Sequence, residues 1–98
     1  MEKPLFIPLK TKWFRDFESG AKMTEYRAYG PRWNERTCRV GRHAILSHGY
    51  SGDRLLRTVT RFNVIDYKNA PRAAQEIFPS ASHIAAIGLS VLPPPESK

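Results

Sequence analysis

The sequence has little cysteine, few acidic residues and no long apolar run, and the first and the last of these shortages each exclude a class of protein. Cys38 is the only cysteine in 98 residues, so no intrachain disulfide can form and a disulfide-stapled secreted domain is excluded. No apolar run approaches the roughly 20 residues of a membrane span. The apolar stretch after Pro4 is too short for a signal-peptide core. We therefore expect a cytoplasmic protein with no membrane segment, and a single domain at this length.

Acidic residues are outnumbered, and the imbalance is confined to one part of the chain. The sequence has 16 Lys and Arg against 9 Asp and Glu, a formal net charge of +7. Residues 1–61 carry 13 of the 16 basic and 6 of the 9 acidic residues, which gives 13 − 6 = +7, and residues 62–98 are neutral. Such an excess indicates an anionic partner, most often a nucleic acid.

The densest basic stretch contains arginines with aromatic residues between them. Its arginines are Arg27, Arg32, Arg36, Arg39 and Arg42, and its aromatics are Tyr26, Tyr29 and Trp33. Arginine binds phosphate with two hydrogen bonds and stacks on bases, and aromatic side chains hold unpaired bases. Two interpretations remain open, namely a surface for single-stranded nucleic acid and a solvated basic face whose aromatics, Trp33 first, point into the core.

Pattern and turn residues predict five strands and two or three short helices. We predict strands at 5–9, 22–28, 42–48, 54–65 and 84–92, helices at 12–19 and 70–78, and one helical turn at 31–36. Thr11 is the expected cap of the first helix and Gly20 its left-handed stop. The strands do not alternate with long helices, so an α+β class is predicted, with a small, mostly antiparallel β-barrel that removes the sheet edges. Residues 1–92 would form this domain, and 93–98 a disordered, proline-rich tail.

The segment that follows Gly20 carries the strongest chemical signal. Lys22, Glu25 and Arg27 stand within a few residues at the start of a strand. Thr24, Tyr26 and Ala28 are the expected core side of this strand, so Glu25 and Arg27 would face outward or into a cleft. A lysine that is crowded by cations and partly desolvated becomes a base or nucleophile, and a nearby carboxylate can exchange protons with it. A surface ion pair is the simpler alternative.

The pattern Gly20-x-Lys22-x-x-Glu25-x-Arg27, after a helix with Phe14 and Phe17, resembles the signature of the ASCH family. Small phage and bacterial members also show a Tyr-Arg followed by Pro-x-Trp, which is similar to Tyr26-Arg27 and Pro31-Arg32-Trp33 here. The resemblance covers roughly residues 5–92. It implies the PUA-like barrel of RNA-binding proteins, with a cleft between barrel and helices that is lined by the Lys22 motif.

The resemblance also implies a choice of activities. Members bind RNA or nucleobase-like ligands, and some hydrolyse N4-acylated cytidines or cleave single-stranded RNA with a metal. The amidohydrolase members have a threonine three residues after the motif lysine, where this chain has Glu25, and they use a glutamate near the later helix, where Glu76 is the only candidate. The absence of this threonine weakens the amidohydrolase interpretation, and Glu76 is more simply interpreted as an ordinary exposed helix residue.

We therefore arrive at three hypotheses. The first is a module that binds single-stranded RNA or a modified nucleoside, with Lys22 and Glu25 reading the base edge and with phosphate and base contacts from Arg27, Arg32, Tyr29, Trp33 and Tyr50. The second is a small hydrolase in the same cleft, an N4-acylcytidine amidohydrolase or a single-strand ribonuclease, with Lys22 and Glu25 as catalytic residues. The third is a basic protein-interaction domain. No spacing of Cys and His residues predicts a metal site, and no motif predicts a cofactor.

Overall fold

The computed structural model describes residues 2–95 as a five-stranded sheet with two α-helices. In chain order the elements are β1 (Leu5–Leu9), α1 (Thr11–Ser19), β2 (Thr24–Ala28), β3 (His43–His48), β4 (Arg54–Asp66), a 3-10 turn (Tyr67–Asn69), α2 (Arg72–Ile77) and β5 (His83–Leu89). No helix within residues 2–95 is long and apolar enough to cross a membrane. The predicted tail lies partly outside the described residues, and its described part, 93–95, is neither helix nor strand.

The sheet is curled into a half-barrel and has the strand order β1-β3-β4-β5-β2. The β1–β3 pair is parallel, and the other three pairs are antiparallel. The predicted α+β class and mostly antiparallel sheet are therefore confirmed. The predicted closure is not, because β1 and β2 are left as the two edges of the described sheet.

Pro8 gives a physical reason for the open seam between β1 and β2. Proline has no N–H to donate to a neighbouring strand, so it is tolerated at an edge and not in the middle of a sheet. The carbonyl oxygen of Pro8 accepts a hydrogen bond from the Arg27 side chain and not from a strand. A side chain thus contacts β1 where a closed barrel would have a strand ladder.

Two hydrophobic clusters cover the two faces of the sheet. In the larger one Phe14 and Phe17 of α1 pack against inward residues of the strands, including Ala85 and Ile87 of β5. In the smaller one Ile84 packs with Ala70 and Ala74, at and after the 3-10 turn. Successive residues of β5 therefore point into different clusters, and the strand is buried on both faces.

The predicted cap of α1 and the predicted helical turn at 31–36 were wrong, whereas the predicted end of α1 is confirmed. Thr11 lies inside α1 and its hydroxyl contacts His48 Nε2 at 2.7 Å, so it does not cap the helix. Gly20 does stop α1 in the left-handed region, at φ 84°. Residues 31–36 form bends and turns and not a helical turn, because the Asn34 side chain bonds the backbone of Gly30 and Arg36 and so replaces helical hydrogen bonds.

Candidate functional site

The charged residues of β2 lie on the face that points to the larger hydrophobic cluster. Glu25 pairs with Ile87 and Arg27 with Ala85, and both of those β5 residues belong to that cluster. Glu25 is only 6% exposed and is the most buried residue of the strand. Tyr26 is partly buried against the smaller cluster on the opposite face. The larger cluster therefore lies on the face opposite to the predicted core side of β2, while Tyr26 of the predicted core residues packs against the smaller cluster.

Glu25 is buried in contact with two cations. Its Oε1 lies 3.3 Å from Lys22 Nζ, and its Oε2 accepts a hydrogen bond of 2.8 Å from Arg27 Nε. The side chains of Lys22 and Arg27 are 20% and 18% exposed. Burial of a carboxylate is costly unless it is paired, and here each of its oxygens has a cationic partner. The three motif residues therefore form one ion network.

Lys22 is placed by the turn between α1 and β2. Its backbone N–H donates to Asp16 O at 3.1 Å, after the left-handed Gly20 has reversed the chain. Because Lys22 precedes the first residue of β2, the alternation of the strand does not fix its direction. Its ammonium lies 4.2 Å from the Trp13 ring centroid and 5.8 Å from that of Tyr26. These rings contact the cation favourably through their π faces.

Arg27 crosses the seam of the half-barrel. Its Nη2 donates a hydrogen bond of 2.6 Å to Pro8 O, while its Nε is bonded to Glu25. The guanidinium carbon also lies 4.8 Å from the centroid of the Trp33 ring. Arg27 thereby connects both edge strands with the core.

A cavity of about 360 Å³ opens at this seam, between β1, α1, β2 and α2. Its charged lining residues are Lys10, Lys22 and Arg27 against Glu25, which gives 3 − 1 = +2. The remaining walls are mostly apolar and comprise Pro8, Leu9, Trp13, Tyr26, Pro71, Ala73, Ala74, Ile77 and Phe78. Ligand pockets commonly have this character, with apolar walls and a few converging polar groups.

The other predicted binding residues lie outside this cavity. Trp33 is 9% exposed and belongs to the larger cluster, while the exposed Arg32 has its guanidinium carbon 5.6 Å from the Trp33 ring. Tyr29 donates to the Glu35 carboxylate at 2.8 Å. Tyr50 is 75% exposed in the turn between β3 and β4.

The contact between Tyr29 and Glu35 shifts the pKa of both side chains. The hydrogen bond to the carboxylate raises the pKa of the Tyr29 phenol, and the same bond holds the pKa of Glu35 below its usual range. Both side chains are on the surface of the loop between β2 and β3. Tyr29 is therefore engaged within its own loop.

Sequence reasoning missed the aromatic walls of the cavity. Trp13 of α1 and Phe78, which directly follows α2, both line the cavity, and neither was among the predicted binding residues. Trp13 stands one position before the buried Phe14, so helical periodicity alone places it at the margin of the packed face. No local pattern indicates that α2 would meet that margin.

Glu76, the second carboxylate implied by the ASCH resemblance, is exposed on α2 and does not line the cavity. Within residues 2–95 no group of three or more His, Cys, Asp or Glu residues is arranged to hold a metal ion. Glu25 is therefore the only carboxylate among the described cavity residues.

Comparison with known proteins adds no assignment. No protein-family model matches the chain, and no curated protein is similar enough in sequence to count as a match.

Proposed function

We propose that the chain is an ASCH-type module, related to PUA-like barrels, that binds single-stranded RNA or a modified nucleoside in the seam cavity. The observation that carries this proposal is the Lys22–Glu25–Arg27 network, which lies in a cavity with aromatic and aliphatic walls. Such a site combines flat apolar surfaces with a polar edge and a net positive charge, and these are the features that a nucleobase and its phosphate require.

The size of the cavity favours a single base or nucleoside over a duplex. At about 360 Å³ it lies near the lower end of the roughly 300–1,000 Å³ of small-molecule pockets. An unpaired base can enter such a cavity and contact Trp13 and Phe78, which line it. A double helix presents its bases inside the stack, out of reach of these side chains.

The polar edge has capacity left for a ligand. Lys22 donates one of its N–H groups to Glu25, and each Glu25 oxygen accepts a hydrogen bond from one cation. The other N–H groups of Lys22 and the other lone pairs of Glu25 are therefore available to a ligand. Lys22 would donate to a carbonyl or ring nitrogen of the base, and Glu25 would accept from an exocyclic amine. Arg27 holds Glu25 in place, and Lys10 and Arg32 supply positive charge for phosphate.

The proposal is tested by titrating the protein with single-stranded RNA oligonucleotides and a panel of N4-modified cytidines, with and without divalent metal. We expect Lys22→Ala to weaken binding by about tenfold or more, because it removes a charged hydrogen-bond donor. Lys68→Ala, which changes a lysine outside the cavity, is the matched control. Equal affinity of Lys22→Ala and the parent chain would refute the site.

Salt dependence provides a second, independent measurement. If phosphate groups are neutralised by the basic surface, the logarithm of the RNA association constant falls linearly with the logarithm of the salt concentration. A flat response would remove phosphate contact from the proposal.

A hydrolase in the same cavity is the second candidate, and the 3.3 Å contact between Lys22 and Glu25 favours it. Two groups at this distance can exchange a proton while one of them activates water or attacks a carbonyl. The exposed position of Glu76 counts against the amidohydrolase version, because it leaves Glu25 alone among the described lining carboxylates. Turnover of N4-acetylcytidine or of single-stranded RNA that survives in Lys22→Ala would exclude Lys22 from catalysis.

A further inference from the structure

A second aromatic surface, formed by Phe6, Tyr50 and Arg54, lies on the sheet away from the larger cluster. The Phe6 and Tyr50 ring centroids are 6.2 Å apart, with planes inclined by 32°. The Arg54 guanidinium carbon lies 5.2 Å from the Phe6 centroid, and Arg54 Nη2 donates to Tyr50 O at 3.2 Å. We call these three residues the Tyr50 platform. Their mutual contacts hold the platform together, while Tyr50 itself remains 75% exposed.

The platform adjoins the cavity wall. Phe6 and Pro8 lie on the same face of β1, two residues or about 7 Å apart, and Pro8 lines the cavity. The turn that carries Tyr50 is fixed to the end of β1 by a hydrogen bond of 2.9 Å from Gly49 N to Leu9 O. Leu9 is also a cavity residue. The exposed Tyr50 ring therefore belongs to the surface next to the cavity.

The charged residues at and near the two sites favour an anionic ligand. Lys10 and Lys12 follow β1, and Arg54 lies on the platform, against Asp53 in the turn, which gives 3 − 1 = +2. Arg54 forms no ion pair with a carboxylate among the described residues. Its remaining N–H groups are therefore available to a phosphate that passes between the platform and the cavity.

We propose that the Tyr50 platform is a second base-binding site, so that the ligand is a single-stranded oligonucleotide and not a lone nucleoside. One base occupies the seam cavity, a neighbouring base stacks on Tyr50, and the linking phosphates contact Lys10 and Arg54. This inference rests on the proposed function, because it extends the strand that the cavity begins to bind. Stacking uses the π face that every base has, so the platform accepts RNA and DNA of any sequence.

The experiment measures the affinity of four variants and of the parent chain for three ligands. The ligands are cytidine monophosphate and single-stranded oligonucleotides of about eight residues, one with ribose and one with deoxyribose. We expect Tyr50→Ala to weaken the binding of both oligonucleotides by about tenfold, which is the usual contribution of one stacked base to affinity. The affinity for the mononucleotide should not change. Tyr50→Phe keeps the ring and should bind oligonucleotides like the parent chain. Val64→Ala, another exposed apolar residue of the sheet, is the control for unspecific loss.

Lys22→Ala separates failure of the platform from failure of the cavity. If Lys22→Ala weakens the binding of both the mononucleotide and the oligonucleotides, while Tyr50→Ala changes neither affinity, the cavity proposal stands and the platform is refuted. If Tyr50→Ala weakens the oligonucleotides and Lys22→Ala changes nothing, the platform binds bases and the cavity proposal is refuted. A loss in Tyr50→Phe equal to that in Tyr50→Ala would exclude stacking as the cause.

Discussion

Arg27 Nη2 donates a 2.6 Å hydrogen bond to Pro8 O, across the gap between the two edge strands of the half-barrel. The same side chain bonds the buried Glu25 and packs against Trp33. A strand edge leaves backbone groups without partners, and Pro8 removes one donor from that edge. One side chain therefore helps to hold together the two walls of the cavity, and the stability of the seam depends on it.

We predict that Arg27→Ala lowers the free energy of unfolding by about 2 kcal/mol or more, because the buried Glu25 and the partly buried Pro8 O each lose a hydrogen-bond partner. Urea denaturation measures the loss. Arg32→Ala is the matched control, since Arg32 also lies over the Trp33 ring but is exposed and contacts neither Glu25 nor Pro8. Its effect should stay within about 0.5 kcal/mol. Equal losses in both variants would contradict the role of Arg27 at the seam.

The sequence was sufficient to predict the five strands and the two α-helices, but not the loop conformation at 31–36 or the direction of the β2 side chains. Thr24, Tyr26 and Ala28 are less polar than Glu25 and Arg27, so alternation assigns the wrong face to the core. The charged pair can face inward only because Lys22, outside the strand, and Pro8, far away in the chain, complete its partners. The contact with Pro8 arises from tertiary structure and leaves no local pattern in the sequence.

The cavity was only partly predictable for a related reason. Lys22, Glu25 and Arg27 stand close together in the sequence, so their grouping was expected. Trp13 lies on α1, before these three residues, and Phe78 directly follows α2, far after them in the chain. Only the curl of the sheet brings α1 and α2 to one seam. The open seam was likewise missed, since strand count alone suggested closure.

We predict that Trp13 reports ligand binding by fluorescence and that Trp33 does not. Trp13 lines the cavity, whereas Trp33 is buried in the core. Trp33→Phe leaves Trp13 as the only tryptophan, and its emission should change on addition of single-stranded RNA, because a base enters next to the ring. Trp13→Phe leaves Trp33, whose emission should remain constant. A response from Trp33 alone would place the ligand elsewhere.

We predict that stability falls with rising pH from about 9 upward, partly because of Cys38. Burial raises the pKa of the Cys38 thiol above its ordinary value of 9.0. In the unfolded chain the thiol loses its proton first, so its contribution is complete below the ordinary pKa and is lost as pH rises toward the folded pKa. In urea denaturation at a series of pH values, the free energy of unfolding of Cys38→Ala should decline less steeply at alkaline pH than that of the parent chain.

The raised pKa of the Tyr29 phenol acts on stability with the same sign as that of Cys38. Tyr29→Phe should therefore also reduce the alkaline decline in the free energy of unfolding, independently of Cys38.

We predict that Gly20→Ala costs about 1 kcal/mol of stability, measured by urea denaturation, although there is ample space for a methyl group. Gly20 has φ 84°, and a Cβ added there meets no atom within 4 Å, so backbone conformation is the only penalty. Gly30 is the matched control, because its added Cβ is also in open space but its φ is not positive. Gly30→Ala should therefore be neutral or slightly stabilising, since alanine restricts the unfolded chain. The left-handed end of α1 leads directly to Lys22. A similar loss of stability in both variants would show that the left-handed conformation is not the reason for glycine at this position.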